Sequence, residues 1–181
     1  MDELLADLEQ RSGFIDGVVV SGGEPTIDTG LPAFLRELKK RRLLVKLDTN
    51  GLRPDVIRRL LDEQLLDYVA VDLKTAPERY DELHPATVNS ALLAETVRLL
   101  RQADLAYEFR TTCIPRLVTT REIRMMGELL RGVSLWILQQ YHPQHALDPA
   151  WQQLEPYSRQ HLTELATTAR TYVRQVQIRG V

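Results

Sequence analysis

Along this chain, short runs of aliphatic residues repeatedly give way to a polar turn and then to apolar residues at helical spacing. Val18-Val19-Val20 leads into Ser21-Gly22-Gly23-Glu24-Pro25 and then Leu31, Phe34, Leu35 and Leu38. Leu43–Leu47 leads into Asp48-Thr49-Asn50-Gly51 and a helical pattern opened by Pro54, and Tyr68–Val71 leads into Asp72-Leu73-Lys74. Period and turn chemistry place strands near residues 15–21, 43–48, 68–73, 107–113 and 134–140, with a short last strand at 176–178. Helices are expected at Asp2–Gln10, from Leu31 to the basic run at Lys39, from Pro54 onward, at Ala91–Leu100, at Thr120–Leu130 and at Tyr157–Val173. A looser stretch, Thr75 to Asn89, has room for a short helix at Glu78–Leu83.

Repeated βα units build either an open doubly wound sheet or part of a (β/α) barrel. No Gly-x-Gly-x-x-Gly follows the first strand, which weighs against a dinucleotide-binding sheet. The barrel is favoured by the polar residues Glu24, Asp48, Asn50, Asp72, Lys74 and His142, all at strand C-terminal ends, the face on which barrel sites are built. Arg110, inside its strand, is expected to point into the same space, so that these groups open onto one cavity. No low-complexity linker interrupts the pattern, and residues 1–181 read as a single domain.

The strand ending at Val20 reads as buried, its three β-branched residues suiting a parallel strand covered on both faces. Gly22-Gly23 permits positive φ or close backbone approach, and Pro25 stiffens the corner that holds Glu24.

With 181 residues, 44% of them hydrophobic, and a formal net charge of −2, the composition fits one globular domain and gives no sign of nucleic-acid binding. The run Lys39-Lys40-Arg41-Arg42 closes a helix, where cations suit the negative end of its dipole. Without an apolar run of membrane-spanning length or a signal peptide, the expected location is the cytoplasm. Cys113 is the single cysteine, which excludes an internal disulfide and any site built from several thiolates of this chain; it reads as a core residue.

Singly, the polar residues have plain structural explanations. Asp48-Thr49-Asn50-Gly51 is good turn chemistry, Lys74 can extend to solvent, and His142 before a proline can be a rim residue. As a set, two carboxylates and a lysine at the ends of neighbouring strands need a ligand or cation to satisfy them. A zwitterion meets that need, an acid facing its ammonium and a base its carboxylate.

The ordered series Gly22-Gly23-Glu24-Pro25, Asp48-Thr49-Asn50-Gly51, Asp72-Leu73-Lys74, Arg110 and Tyr141-His142 resembles the radical S-adenosylmethionine enzymes. The likeness is nearest to the activating enzymes of glycyl-radical proteins, those of pyruvate formate-lyase and, with Val45–Gly51 and the ending Ile178-Arg179-Gly180, of anaerobic ribonucleoside-triphosphate reductase. It runs from about Gly17 to Gly180. The resemblance implies a partial (β/α)6 barrel, with Gly22, Gly23, Glu24 and Pro25 holding the methionyl ammonium of S-adenosylmethionine. It also places Asn50, Lys74, Arg110 and His142 around that cofactor, and Asp48, Thr49 and Asp72 around a monovalent cation. The implied chemistry is reductive cleavage of S-adenosylmethionine by a [4Fe–4S] cluster, giving a 5′-deoxyadenosyl radical that takes hydrogen from a glycine of the partner enzyme. The family's three cluster cysteines, spaced Cys-x3-Cys-x2-Cys after its first strand, have no counterpart here. The chain therefore reads as lacking the first βα unit and as inactive alone in that chemistry. The alternatives are a non-catalytic module or relic that binds S-adenosylmethionine, and a lyase or isomerase using Asp48, Asp72 and Lys74 with a divalent metal.

Overall fold

A computed structural model describes residues 2–11, 13–83, 88–146 and 148–181, with the side chains of residues 2 and 3 outside that description. Six strands, β1 (Gly17–Val20), β2 (Leu44–Thr49), β3 (Tyr68–Asp72), β4 (Ala106–Cys113), β5 (Leu135–Gln140) and β6 (Gln175–Arg179), lie parallel in the order β1-β2-β3-β4-β5-β6. The helices are α1 (Asp2–Gln10), α2 (Leu31–Lys40), α3 (Pro54–Asp62), α4 (Ala91–Gln102), α5 (Thr120–Leu129), α6 (Pro149–Gln152) and α7 (Arg159–Ala169). This order decides between the two architectures. A doubly wound sheet reverses its strand order at a switch point, whereas right-handed crossovers that step the same way put their helices on one face. The sheet is an open segment of a barrel, helices outside and lumen within.

Strand alternation shows the two faces. On β2, Val45, Leu47 and Thr49 are buried under the helices, while Leu44 is exposed and Lys46 and Asp48 are half-buried on the lumen side. The outer face supplies the core, in which Leu35, Leu38, Val45, Leu47, Ile57, Leu60, Leu100, Phe109, Trp136 and Leu138 are all essentially inaccessible. Each such aliphatic or aromatic side chain contributes about 1.5–3 kcal/mol relative to exposure. Trp136 satisfies its indole N–H on Thr111 Oγ1 at 3.0 Å, within that core.

Three expectations are corrected. Among the described residues β1 is an edge strand paired with β2 alone, and Val19 on its lumen side is 56% exposed, so it is not covered on both faces. Three consecutive valines look alike locally whatever lies above them, and the lumen of an open barrel has no second layer. The helix expected at Tyr157–Val173 is shorter: Ser158 caps the His161 N–H at 3.2 Å, and beyond Ala169 the Tyr172 carbonyl accepts from the Gly132 N–H at 2.9 Å, drawing that segment into a turn. The connector before it carries α6, capped where Asp148 accepts from the Ala150 N–H at 2.8 Å. The short helix of the looser stretch is a 3-10 turn at Pro77–Glu82; residues 84–87 of that stretch lie outside the described residues.

Candidate cofactor-binding site

Where β1 ends, the chain turns through Gly22 (φ +98°) and Gly23 (φ +49°), and a Cβ at either would meet nothing within 4 Å. Side chains are disfavoured there by the backbone conformation and not by crowding, which leaves open space against the main chain. Glu24 caps the 3-10 turn Pro25–Ile27. Its Oε1 accepts from the Thr26 N–H at 3.1 Å, the Thr26 hydroxyl at 2.5 Å and the Thr49 hydroxyl at 2.7 Å. Among the described residues its Oε2 accepts from the Asn50 N–H alone, at 2.6 Å. Each carboxylate oxygen offers about two lone-pair positions; three donors crowd onto Oε1, while Oε2 with its single donor keeps room for one more. Glu24 thereby ties the β1 corner to the end of β2, beside a cavity of about 530 Å³ lined also by Val20, Ser21, Gly22, Leu31 and Phe34.

The turn after β2 is built from its own residues. Gly51 has φ +74°, and a Cβ there would lie 2.7 Å from Val71 Cγ1, so this position requires glycine twice over. The Gly51 N–H donates to Thr49 Oγ1 at 3.1 Å and the Leu52 N–H to Asn50 Oδ1 at 2.9 Å. The Asn50 side chain therefore serves the turn, while its backbone N–H serves Glu24.

Across the lumen, charges form a ladder. Lys46 Nζ stands 2.8 Å from Asp48 Oδ1, and Arg110 reaches Asp48 Oδ2 through Nη1 and Asp72 Oδ1 through Nε, both at 2.9 Å. Asp72 Oδ2 accepts from Lys74 Nζ at 3.0 Å. Burial alone would raise the Asp48 carboxyl, but the Lys46 ion pair and the Arg110 guanidinium outweigh it and hold the pKa below the ordinary value. Burial would likewise lower Arg110, yet Asp72 and Asp48 together raise it, so the guanidinium is fixed in its charged form. A second pair lies lower in the lumen: Arg179 grips Glu108 at 3.0 and 2.7 Å, and the Tyr68 hydroxyl donates to Glu108 at 2.9 Å. Glu108 is driven up by burial and down, more strongly in sum, by Arg179 and Tyr68. Burial first and Glu108 second push Tyr68 up to about 12.

The strand-end residues do not share one cavity. Glu24 lines the space at the β1 corner, whereas Lys74 and His142 line a separate cavity of about 570 Å³ with Thr112, Ile114, Tyr141 and Trp151. The ladder of Asp48, Arg110 and Asp72 runs on the lumen face, and Pro25 is buried behind Glu24. Asp48 and Asp72, set around a cation by the resemblance, are bridged by the Arg110 guanidinium, and the Thr49 hydroxyl is engaged with Glu24 and Gly51. Among the described residues no three His, Cys, Asp or Glu side chains group as a metal site. Lys46, Tyr68 and Glu108 were not singled out from sequence. For Lys46 and Glu108 the signal is the period-2 alternation of Val45-Lys46-Leu47-Asp48 and Tyr107-Glu108-Phe109-Arg110, which marks one polar face on each strand.

Cys113 is fully buried, on the helix-covered face, and burial pushes its thiol up to about 12. A [4Fe–4S] cluster needs several converging thiolates, so these residues do not fit one. The donor set at Glu24 does fit an ammonium: a carboxylate with one open acceptor position, beside two glycines that leave the main chain accessible.

Residues 1–128 match the profile of the Radical SAM superfamily, and the chain belongs to it. It is 30% identical over 186 residues to a Methanocaldococcus jannaschii protein provisionally named a glycyl-radical enzyme activating enzyme, the match taking in 100% of this chain and 77% of that protein. A second M. jannaschii protein of the same provisional name is 25% identical over 144 residues, 75% of this chain and 54% of that one. Among solved structures, a domain of the pyruvate-formate lyase-activating enzyme from Bacteroides vulgatus superposes with a TM-score of 0.68 at 17% identity, covering 91% of this chain and 99% of that domain. Streptococcus suis SuiB superposes with a TM-score of 0.70 at 12% identity, over 99% of this chain and 43% of that one. These two likenesses speak to the fold. No helix among the described residues is long and apolar enough to cross a membrane.

Proposed function

We propose that this chain is the S-adenosylmethionine-binding body of a cytoplasmic glycyl-radical enzyme activating protein, its partner a glycyl-radical enzyme such as anaerobic ribonucleoside-triphosphate reductase. The observation that carries the reading is the open acceptor position on Glu24 Oε2 beside the accessible Gly22-Gly23 main chain. There the methionyl ammonium would donate to a carboxylate already oriented by Thr26, Thr49 and Asn50, so little side-chain freedom is lost on binding. Arg110 is engaged with Asp48 and Asp72, and Lys74 lines the separate cavity with His142 and Thr112, so neither cation is assigned to the methionyl carboxylate. A monovalent cation at Asp48, Thr49 and Asp72 would compete with Arg110 for both carboxylates. The superfamily's cluster chemistry calls for thiolates that these 181 residues do not contain, so the part proposed for this chain is to bind and orient the cofactor.

Calorimetric titration with S-adenosylmethionine tests this. Glu24→Gln removes the charge and turns an amide NH2 toward groups that are themselves donors, so it should weaken binding by about 1.5–3 kcal/mol. Equal affinities in wild type and variant would make the corner structural only.

A further inference from the structure

Behind the site, α4 sends one buried hydroxyl into the turn that orients Glu24. Thr96 is fully buried, and its Oγ1 donates to the Gly51 carbonyl at 2.7 Å, 45 residues back in the chain. That carbonyl belongs to the peptide plane whose N–H, on Leu52, donates to Asn50 Oδ1. The two preceding amides donate to Thr49 Oγ1, from Gly51, and to Glu24 Oε2, from Asn50. Three successive N–H groups are thus committed inside the corner, and Thr96 grips the same turn from outside it.

We infer that Thr96 is a positioning residue for cofactor binding: its hydroxyl holds the left-handed Gly51 so that the Asn50 N–H and the Thr49 hydroxyl stay aimed at Glu24. Without that bond, the Gly51 carbonyl becomes a buried acceptor lacking its partner, and glycine is the residue best able to escape by rotating its peptide planes. Such a rotation moves the Leu52 N–H off Asn50 Oδ1 and the Gly51 N–H off Thr49 Oγ1, and so loosens the two residues whose hydroxyl and backbone N–H hold Glu24. Glu24 then loses donors on both oxygens, and the carboxylate that should meet an ammonium is no longer held in one rotamer. Thr96 itself touches no ligand. The inference rests on the reading that Glu24 receives the methionyl ammonium.

Thr96→Val keeps the shape and removes the hydroxyl, Thr96→Ser keeps the hydroxyl, and Thr96→Ala suits a helix. Two readouts apply to each: backbone-amide NMR with hydrogen exchange at Asn50 and Gly51 without ligand, and calorimetric affinity for S-adenosylmethionine. The valine variant should show the Asn50 amide exchanging at least tenfold faster and an affinity about five- to tenfold weaker, the scale of one buried neutral hydrogen bond, while serine behaves as wild type. If valine prevents folding, loss in alanine but not in serine supports the role, and equal loss in both overturns it. A folded valine variant with unchanged Asn50 exchange and unchanged affinity also overturns it. Should wild type itself fail to bind S-adenosylmethionine, the cofactor reading falls, while the exchange measurement still decides whether Thr96 holds the turn.

Discussion

Arg110 on β4 pairs with Asp48 on β2 at 2.9 Å, passing over the whole of β3 between them. The reach is possible because the sheet is concave on this side, and because the β3 residue in register with Asp48 is Ala70, fully buried beneath the pair. The same guanidinium holds Asp72 through Nε, so one planar fork joins three adjacent strands just below the candidate site.

Removing that fork should be costly. Arg110→Met leaves two half-buried carboxylates facing each other with only Lys46 and Lys74 at the ends, and is expected to destabilise the fold by about 2–4 kcal/mol in urea titrations. Arg110→Lys should recover only part of this, since an ammonium cannot present two fixed donors to two acids. Full recovery with lysine would show that charge alone matters here.

The Glu108–Arg179 pair sets an acid limit. Burial raises the Glu108 pKa, but Arg179 and Tyr68 outweigh it and depress the value on folding, so the unfolded chain binds the extra proton first as pH falls. The stabilisation is complete above about pH 5, the ordinary carboxylate range being passed, and is lost as pH drops through the folded value. Asp48 contributes with the same sign. Glu108→Gln should lower stability at pH 7 by about 1–3 kcal/mol, Arg179 being partly exposed, and should flatten the fall of melting temperature between pH 5 and pH 3. An unaltered pH slope in the variant would remove Glu108 from the account.

The strand positions and the strand-end residues were legible because each depends on local pattern: apolar runs of four to six residues, then a polar turn. What escaped depends on neighbours distant in sequence. The exposure of Val19 is set by β1 lying at an edge, and whether Glu24 and Lys74 line one cavity or two depends on how strands far apart in sequence are placed. Asp72 and Lys74 call for a ligand in the sequence reading because, although Arg110 is placed in the same space, local pattern does not show that its guanidinium, 38 residues beyond Asp72, pairs with that acid. Lys46 and Glu108 could have been found, since each alternates with core residues two positions from an acid or base already noted.

Gly51→Ala should affect both fold and site. The added methyl meets Val71 at 2.7 Å in a backbone conformation that alanine disfavours, and a loss of about 2–4 kcal/mol is expected. Thermal melting at pH 7 measures it, and an alanine variant as stable as wild type would contradict the rigidity ascribed to this turn.

The claim that Glu24 and the Gly22-Gly23 main chain receive S-adenosylmethionine is tested most directly by following backbone amides as the cofactor is added to isotope-labelled protein. The account predicts saturable shifts at Gly22, Gly23 and Asn50, all reporting one dissociation constant and all weakened together in Glu24→Gln. Saturable shifts confined to residues away from this corner, or none at all, would contradict it.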